Sequence, residues 1–321
     1  MISDALLRGV SRSFYLSLRV LPVELREPVS LAYLLARASD TVADTQAVAR
    51  ARRLELLRSM KEGDFRPVSE LAEGQSLPAE RLLLESLDAC AAVLQALPSA
   101  DRDLVRSLLG TIVSGQIEDL ERFPGESPAE LAALPDDAAL DRYAYLVAGC
   151  VGEFWTRMCA AHLPAFQALD QAEMLRLGAR LGKGLQLVNI LRDLAADLRL
   201  GRCYLPVREP RRFLDPARFP ELRQTYGRWL DEAVGHLDAG WEYVRRLPPG
   251  LWRVRLACVW PIWIGLATVA LLRRANPLDP ARRAMVPQWR VNLFLAQSLL
   301  CVRSQRLLDP AYRSLRGRAL T

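Results

Sequence analysis

Apolar side chains recur at helical spacing along almost the whole chain, and no alternating run bounded by turn residues interrupts them. A fold made of helices is the consequence. The spacing predicts helices over 3–19, 28–45, 47–61, 77–96, 100–122, 128–133, 137–163, 166–200, 221–247, 251–274 and 288–306. Ser127-Pro128-Ala129-Glu130 reads as a capping box with proline at the first helical position, and Leu247-Pro248-Pro249-Gly250 is a strong break. There is no fixed-period repeat and no linker long enough to divide the chain, so residues 1–321 are expected to form one all-α domain. A chain of 321 residues, 51% hydrophobic, can bury a large core.

Two of the apolar segments carry a polar row. Tyr33, Arg37, Asp40 and Asp44 fall at i, i+4, i+7 and i+11, and Gln186, Asn189, Asp193 and Asp197 fall at i, i+3, i+7 and i+11. On a helix each set shares one face, so each aspartate pair aims two carboxylates in one direction. An unpaired buried charge costs on the order of several kcal/mol, so cations or water must meet these rows. Carboxylates are hard ligands of the kind that hold Mg²⁺ while a polyphosphate supplies the remaining oxygens. Arg192, Arg199 and Arg202 crowd the second row in GKGLQLVNILRDLAADLRLGRCYLP, residues 182–206. Acids for a metal beside arginines for phosphate oxygens is the mixture a metal-bound diphosphate requires. A solvated face laced with ion pairs explains one such row as well, but explains two less readily.

Composition narrows the partners. Lysine and arginine number 43 against 37 acids, a formal charge of +6, and only Lys61 and Lys183 are lysine. That excess suits an anionic small molecule or an acidic membrane surface, and without a basic run interleaved with aromatics, nucleic acid is not expected. Cys90, Cys150, Cys159, Cys203, Cys258 and Cys301 are scattered without a CxxC, which fits buried free thiols in a reducing cytoplasm. His162 and His236 stand alone, so no zinc site is expected, and MISDALLRGVSRSF lacks the apolar core of a secretory signal. Leu256 to Leu272 is uncharged for 17 residues but interrupted by Pro261 and Gly265, and reads as a buried core helix ahead of a membrane span. Loose association with a membrane surface stays open, and oligomeric state is not legible.

Four blocks then resemble the squalene/phytoene synthase family of head-to-head prenyltransferases: Ser11-Arg12-Ser13-Phe14, YLLARASDTVAD (33–44), YAYLVAGCVGEFWT (143–156) and QLVNILRDLAADLRLGRCYLP (186–206). The resemblance covers nearly the whole length. It implies an isoprenoid synthase helical bundle around a central hydrophobic channel, with two aspartate-rich helices facing each other across its mouth. By the same resemblance Asp40, Asp44, Asp193 and Asp197 would bind Mg²⁺, with Asn189 on the cofactor side and Gln186 on the substrate side. Arg12, Arg37, Arg192 and Arg202 would contact diphosphate, Ser11 and Ser13 would help close that end, and Phe14 and Tyr33 would line the carbocation path. Tyr143 would be the tyrosine that moves a proton in the first half-reaction.

The implied reaction joins two farnesyl diphosphates into presqualene diphosphate, which squalene synthases ionise again and reduce with NADPH. Within the family, YLVAGCVGEFWT, NILRDLAADLRLGRCYLP and CVWPIWIGLATVALL look most like bacterial squalene synthases. Two positions depart from the family pattern. Ala196 stands where many relatives have an acid, and Met285-Val286-Pro287-Gln288-Trp289-Arg290 replaces a basic KxxR-like motif in a region that some squalene synthases use near the cofactor. The alternatives are an NADPH-independent dehydrosqualene- or phytoene-type synthase, a presqualene diphosphate synthase, and, in another class, a non-catalytic helical scaffold.

Overall fold

The computed structural model describes residues 4–11, 14–67 and 69–321, and these form helices with almost no sheet. The chain divides into two compact units, residues 1–121 with 154–167 and residues 122–153 with 168–321.

The first unit is built on helix α3 (Val23–Asp44). Around it lie α1 (Asp4–Ser11), α2 (Phe14–Val20), α4 (Arg50–Lys61), α5 (Ser69–Glu73), α6 (Pro78–Glu85), α7 (Leu87–Ala96) and α8 (Ser99–Arg122). Helix α3 begins five residues before the expected 28 and carries Pro28 inside its second turn. So close to the N-terminus a proline removes few helical hydrogen bonds, which is why the helix tolerates it. Leu25, Leu31, Leu34, Leu35 and Ala38 are fully buried, and α3 packs on α4, α6 and α7. Its last turn is fixed from outside. The buried Arg53 of α4 donates through Nη1 to the Ala43 carbonyl at 2.6 Å, taking up a carbonyl that the helix end leaves without an internal partner.

The second unit is organised by α12 (Gln171–Arg199) and α13 (Phe219–Arg246), which pack along each other. Helix α14 (Trp252–Leu272) lies against both and against α16 (Gln305–Leu320), with α15 (Gln288–Cys301) between them in sequence. Residues 249–272 are long and apolar enough to cross a membrane by length and composition, but 72% of the most apolar window is buried within the protein. Helix α14 therefore packs as a core helix, as its Pro261 and Gly265 suggest.

Helix α9 (Asp137–Ala144) leads into the YLVAGCVG block, which forms a π turn over Tyr145–Gly149 and the start of α10 (Cys150–His162); a short α11 (Pro164–Gln167) follows. Gly149 and Gly152 lie against α12 so closely that backbones touch. A Cβ on Gly152 would stand 1.9 Å from the Gly178 carbonyl oxygen, and one on Gly182 2.0 Å from that of Ala148. Only hydrogen fits there.

Four local features differ from the expectation. The helix expected over 128–133 is a single 3₁₀ turn, Pro128–Glu130, and the Ser127 side chain makes no capping bond to it. Strand β1 (Ala132–Ala133) follows and pairs in parallel with β2 (Arg202–Cys203). Two residues are too short to show alternation, which is why the pairing was invisible in the pattern. Helix α12 starts at Gln171, capped by Asp170 accepting from the Glu173 amide at 3.1 Å, so residues 166–170 are not part of it. Helix α16 was not expected at all; Pro310 inside it masked its period.

Candidate functional site

Each acidic row sits on an otherwise buried helix. On α3, Leu34, Leu35, Ala38, Ser39, Thr41, Val42 and Ala43 are buried, while Tyr33, Arg37 and Asp40 are half-buried and Asp44 is exposed. The apolar residues turn inward and the row is left as the accessible edge.

The row is held by groups from three other helices, a backbone carbonyl of one and side chains of two. The Tyr33 hydroxyl donates to the Val10 carbonyl of α1 at 3.2 Å, Arg37 pairs with Glu80 of α6, and Gln116 of α8 donates through Nε2 to Asp40 Oδ1 at 2.5 Å. Burial, then the charge of Asp44, raises the Asp40 carboxyl to about 7 against the opposing pull of Arg37 and Gln116. Part of the residue reaches solvent, yet the crowding around its carboxyl sets the proton affinity. For Arg37, burial pulls down, but Asp40 and Glu80 outweigh it and hold the guanidinium above its ordinary value. Like charges in a crowded site are relieved by a proton or by a cation, so the first row fits a divalent metal.

A stability test follows from the sign of that shift. Because the folded chain binds the Asp40 proton more tightly than the unfolded one, stability falls as pH rises from 3.8 through about 7. In magnesium-free buffer, Asp40→Asn is expected to be more stable than wild type at pH 8 by about 1–2 kcal/mol, with residual solvent access limiting the gain. The two should coincide below pH 4. Urea unfolding at both pH values measures the difference.

The second row has the opposite electrostatics. On α12, Leu187, Val188, Ile190, Leu191, Leu194, Ala195 and Leu198 are buried, leaving Gln186, Arg192, Asp193 and Asp197 half-buried and Asn189 exposed. Arg192 donates to both carboxylate oxygens of Asp193, Nε to Oδ1 at 3.0 Å and Nη2 to Oδ2 at 2.6 Å, and Arg283 adds Nε at 2.9 Å and Nη2 at 2.7 Å to Oδ1. Burial raises the Asp193 carboxyl, but Arg192 and Arg283 outweigh it and hold it below the usual range. Asp193 is thus ionised and ready as a hard ligand, with two arginines beside it that can turn to phosphate oxygens. Asp197 lies near β2. Burial, with a contribution from the Asp197 charge, raises the Cys203 thiol to about 12.

The β1–β2 pairing places Arg202, which is buried, and Tyr204. The Tyr143 ring stacks on that of Tyr204 with centroids 4.6 Å apart, and its hydroxyl donates to the Tyr204 hydroxyl at 3.3 Å. Phe123 meets Tyr204 edge-on at 5.4 Å. Tyr143 therefore belongs to a polar aromatic pair next to the π turn, not to a dry core, and a π turn is a frequent companion of functional sites.

Of the expected residues, Tyr33, Arg37, Asp40 and Asp44 share one helix face in the first unit. Gln186, Asn189, Arg192, Asp193 and Asp197 share another in the second, with Arg202 and Tyr143 in that same unit. Arg12 and Ser13 lie outside the described residues, as do the side chains of Ser11 and Phe14. Among the described residues no three acid, histidine or cysteine side chains group closely enough to hold a metal by themselves. Each pair therefore offers two carboxylates, the number that suits Mg²⁺ when substrate phosphates and water complete its shell.

Three supporting residues escaped the sequence reading: Glu80, Gln116 and Arg283. Gln116 left a signal. It is buried and continues the stripe Val105, Leu109, Ile112 of α8, where apolar residues belong. The Gln116 Oε1 atom is buried with no hydrogen-bond partner among the described residues. Glu80 and Arg283 left none, because tertiary contacts alone bring them to the rows.

Comparison with known proteins agrees with these blocks. Residues 7–290 match the squalene/phytoene synthase family. The squalene synthase of Yarrowia lipolytica is 26% identical over 280 residues, covering 85% of this chain and 61% of its own. The presqualene diphosphate synthase of Rhodopseudomonas palustris is 30% identical over 198 residues, covering 62% of this chain and 59% of its own. This chain thus spans less than two thirds of the length of those curated relatives. A solved complex of TcSQS with a ligand superposes with a TM-score of 0.79 at 21% identity, covering 99% of this chain and 96% of that one. The family match takes in both aspartate helices and the glycine-packed YLVAGCVG crossing, and on that footing the chain belongs to the squalene/phytoene synthase family.

Proposed function

We propose that this protein condenses two molecules of farnesyl diphosphate head to head into presqualene diphosphate and carries that product on to squalene. The observation that supports it most is the pair of aspartates on each of two otherwise buried helices, one pair self-repelling at Asp40 and Asp44, the other flanked by Arg192 and Arg283. A diphosphate ester with its metal needs both kinds of group.

Asp40 and Asp44 in one unit, and Asp193 and Asp197 in the other, are the carboxylates that would hold Mg²⁺, which when bound supplies positive charge against the charge that develops on a departing diphosphate. Arg192 and Arg202 in the second unit, and Arg37 in the first, are each proposed as donors of charge-assisted hydrogen bonds to diphosphate oxygens. The allylic cation left behind is attacked by the double bond of the second farnesyl group. Loss of one proton then closes the cyclopropane, so two substrates give presqualene diphosphate, one diphosphate and one proton. Tyr143, its hydroxyl already engaged with Tyr204, is the group assigned to that proton. Apolar walls must keep water from the cations, or alcohols form instead.

The second half-reaction needs a hydride, and NADPH is its proposed donor. The segment 285–290 does not form a basic cradle for a dinucleotide phosphate: its one cation, Arg290, lies over the Phe294 ring at 5.6 Å. That observation, with the presqualene diphosphate synthase relative, favours a second reading in which the reaction stops at the cyclopropane.

Incubation of the pure protein with farnesyl diphosphate and Mg²⁺, with and without NADPH, separates the readings. Squalene formed only with NADPH is the expected result. Presqualene diphosphate or dehydrosqualene regardless of NADPH moves the assignment to the shorter reaction, and no product of dimeric carbon count removes the proposal.

A further inference from the structure

Helix α15 turns an apolar stripe outward. Trp289, Leu293, Ala296 and Leu300 fall at i, i+4, i+7 and i+11 and are all exposed, Trp289 by 67% and Leu300 by 87%. The opposite side, with Phe294, Ser298 and Cys301, is buried. Leu299, next to Leu300 on the same helix, is 55% exposed, and Leu307 on α16 is 59% exposed. Exposed apolar residues aligned on one helix face differ from the singly scattered exposed leucines that a soluble surface ordinarily carries.

The charges around it have one sign. Between Asp279 and Asp309 the chain contains no acid but five arginines, at 282, 283, 290, 303 and 306. Arg283 is engaged with Asp193, Arg282 pairs with Asp279 at 3.7 Å and Arg303 lies over the Trp252 ring at 5.5 Å. Arg282, Arg303 and Arg306 all remain exposed to solvent in the segments that flank the stripe in sequence. We infer that this face of α15 docks on an anionic lipid surface, the apolar stripe entering the headgroup boundary while the arginines meet lipid phosphates. A second copy of the chain fits less well, since twofold pairing of the patch would oppose arginine to arginine. At 14 residues the helix spans about 21 Å, too short for a hydrocarbon core of about 30 Å, so it lies in the interface and does not cross.

The inference does not rest on the proposed reaction, and its test does not use activity. The full chain is floated with phosphatidylcholine vesicles, with and without admixed phosphatidylglycerol. Binding to the anionic vesicles that weakens with salt is expected. In the double variant Leu293→Asp, Leu300→Asp, partition should fall at least about tenfold with helical content and melting temperature unchanged. As an independent readout, brominated lipid should quench a component of wild-type tryptophan emission that is missing in Trp289→Phe. No binding to either vesicle overturns the inference, as does binding that the leucine variant leaves intact. It is equally overturned if quenching is identical in Trp289→Phe, or if light scattering shows a dimer that the leucine variant dissociates while vesicles capture nothing.

Discussion

Asp40→Asn and Asp193→Asn are each expected to lower diphosphate release from farnesyl diphosphate by about 10²–10³-fold, the scale on which one group stabilising a transition-state charge is worth its presence. Their effects on stability should run in opposite directions. Asp40 is crowded beside Asp44 and raised to about 7, so its neutral replacement removes a repulsion. Asp193 is gripped by Arg192 and Arg283, so its replacement leaves the half-buried Arg192 and the exposed Arg283 short of a partner and costs about 1 kcal/mol after solvent screening. Loss of turnover in both variants, with one stabilised and the other destabilised, separates a chemical role from a structural one. A non-catalytic scaffold predicts the stability changes and no change in turnover.

The second large effect belongs to the crossing of the YLVAGCVG segment with α12. Gly152→Ala and Gly182→Ala each drive a methyl group into a backbone carbonyl, at 1.9 and 2.0 Å, and a backbone cannot swing aside as a side chain can. Each is expected to cost at least about 3 kcal/mol. Gly227 of α13, in the same unit, is the control: nothing lies within 4 Å of a Cβ there, so Gly227→Ala should stabilise by about 0.5–1 kcal/mol through helix propensity. Thermal unfolding of the three variants measures the contrast. The crossing also sets where Tyr143 and the second aspartate row sit within their unit, so activity should fall with the glycine variants even where folding is rescued at low temperature.

Much of this was legible in the chain itself. Helical period alone marked α3, α8, α12, α13 and α14, and the two rows stood out because Asp40 and Asp193 occupy helices whose other residues demand burial. What the pattern hid was short or tertiary. Strands β1 and β2 are two residues each, and the 3₁₀ turn at Pro128–Glu130 carries helix-start residues without a helix behind them. Arg283 reaches Asp193 across 90 residues of sequence, and Gln116 reaches Asp40 across 76, distances at which no periodicity speaks. The stripe on α15 was read as one more helix. Only the burial pattern showed which way its tryptophan and leucines turn.

Metal uptake tests the central claim most directly. Free Mn²⁺, a spectroscopic substitute for Mg²⁺, is followed by electron spin resonance as it is titrated into the protein with and without inorganic diphosphate. Uptake that requires diphosphate and is lost in both Asp40→Asn and Asp193→Asn is the predicted result. Absence of diphosphate-dependent uptake, or uptake undiminished in both variants, would contradict the account.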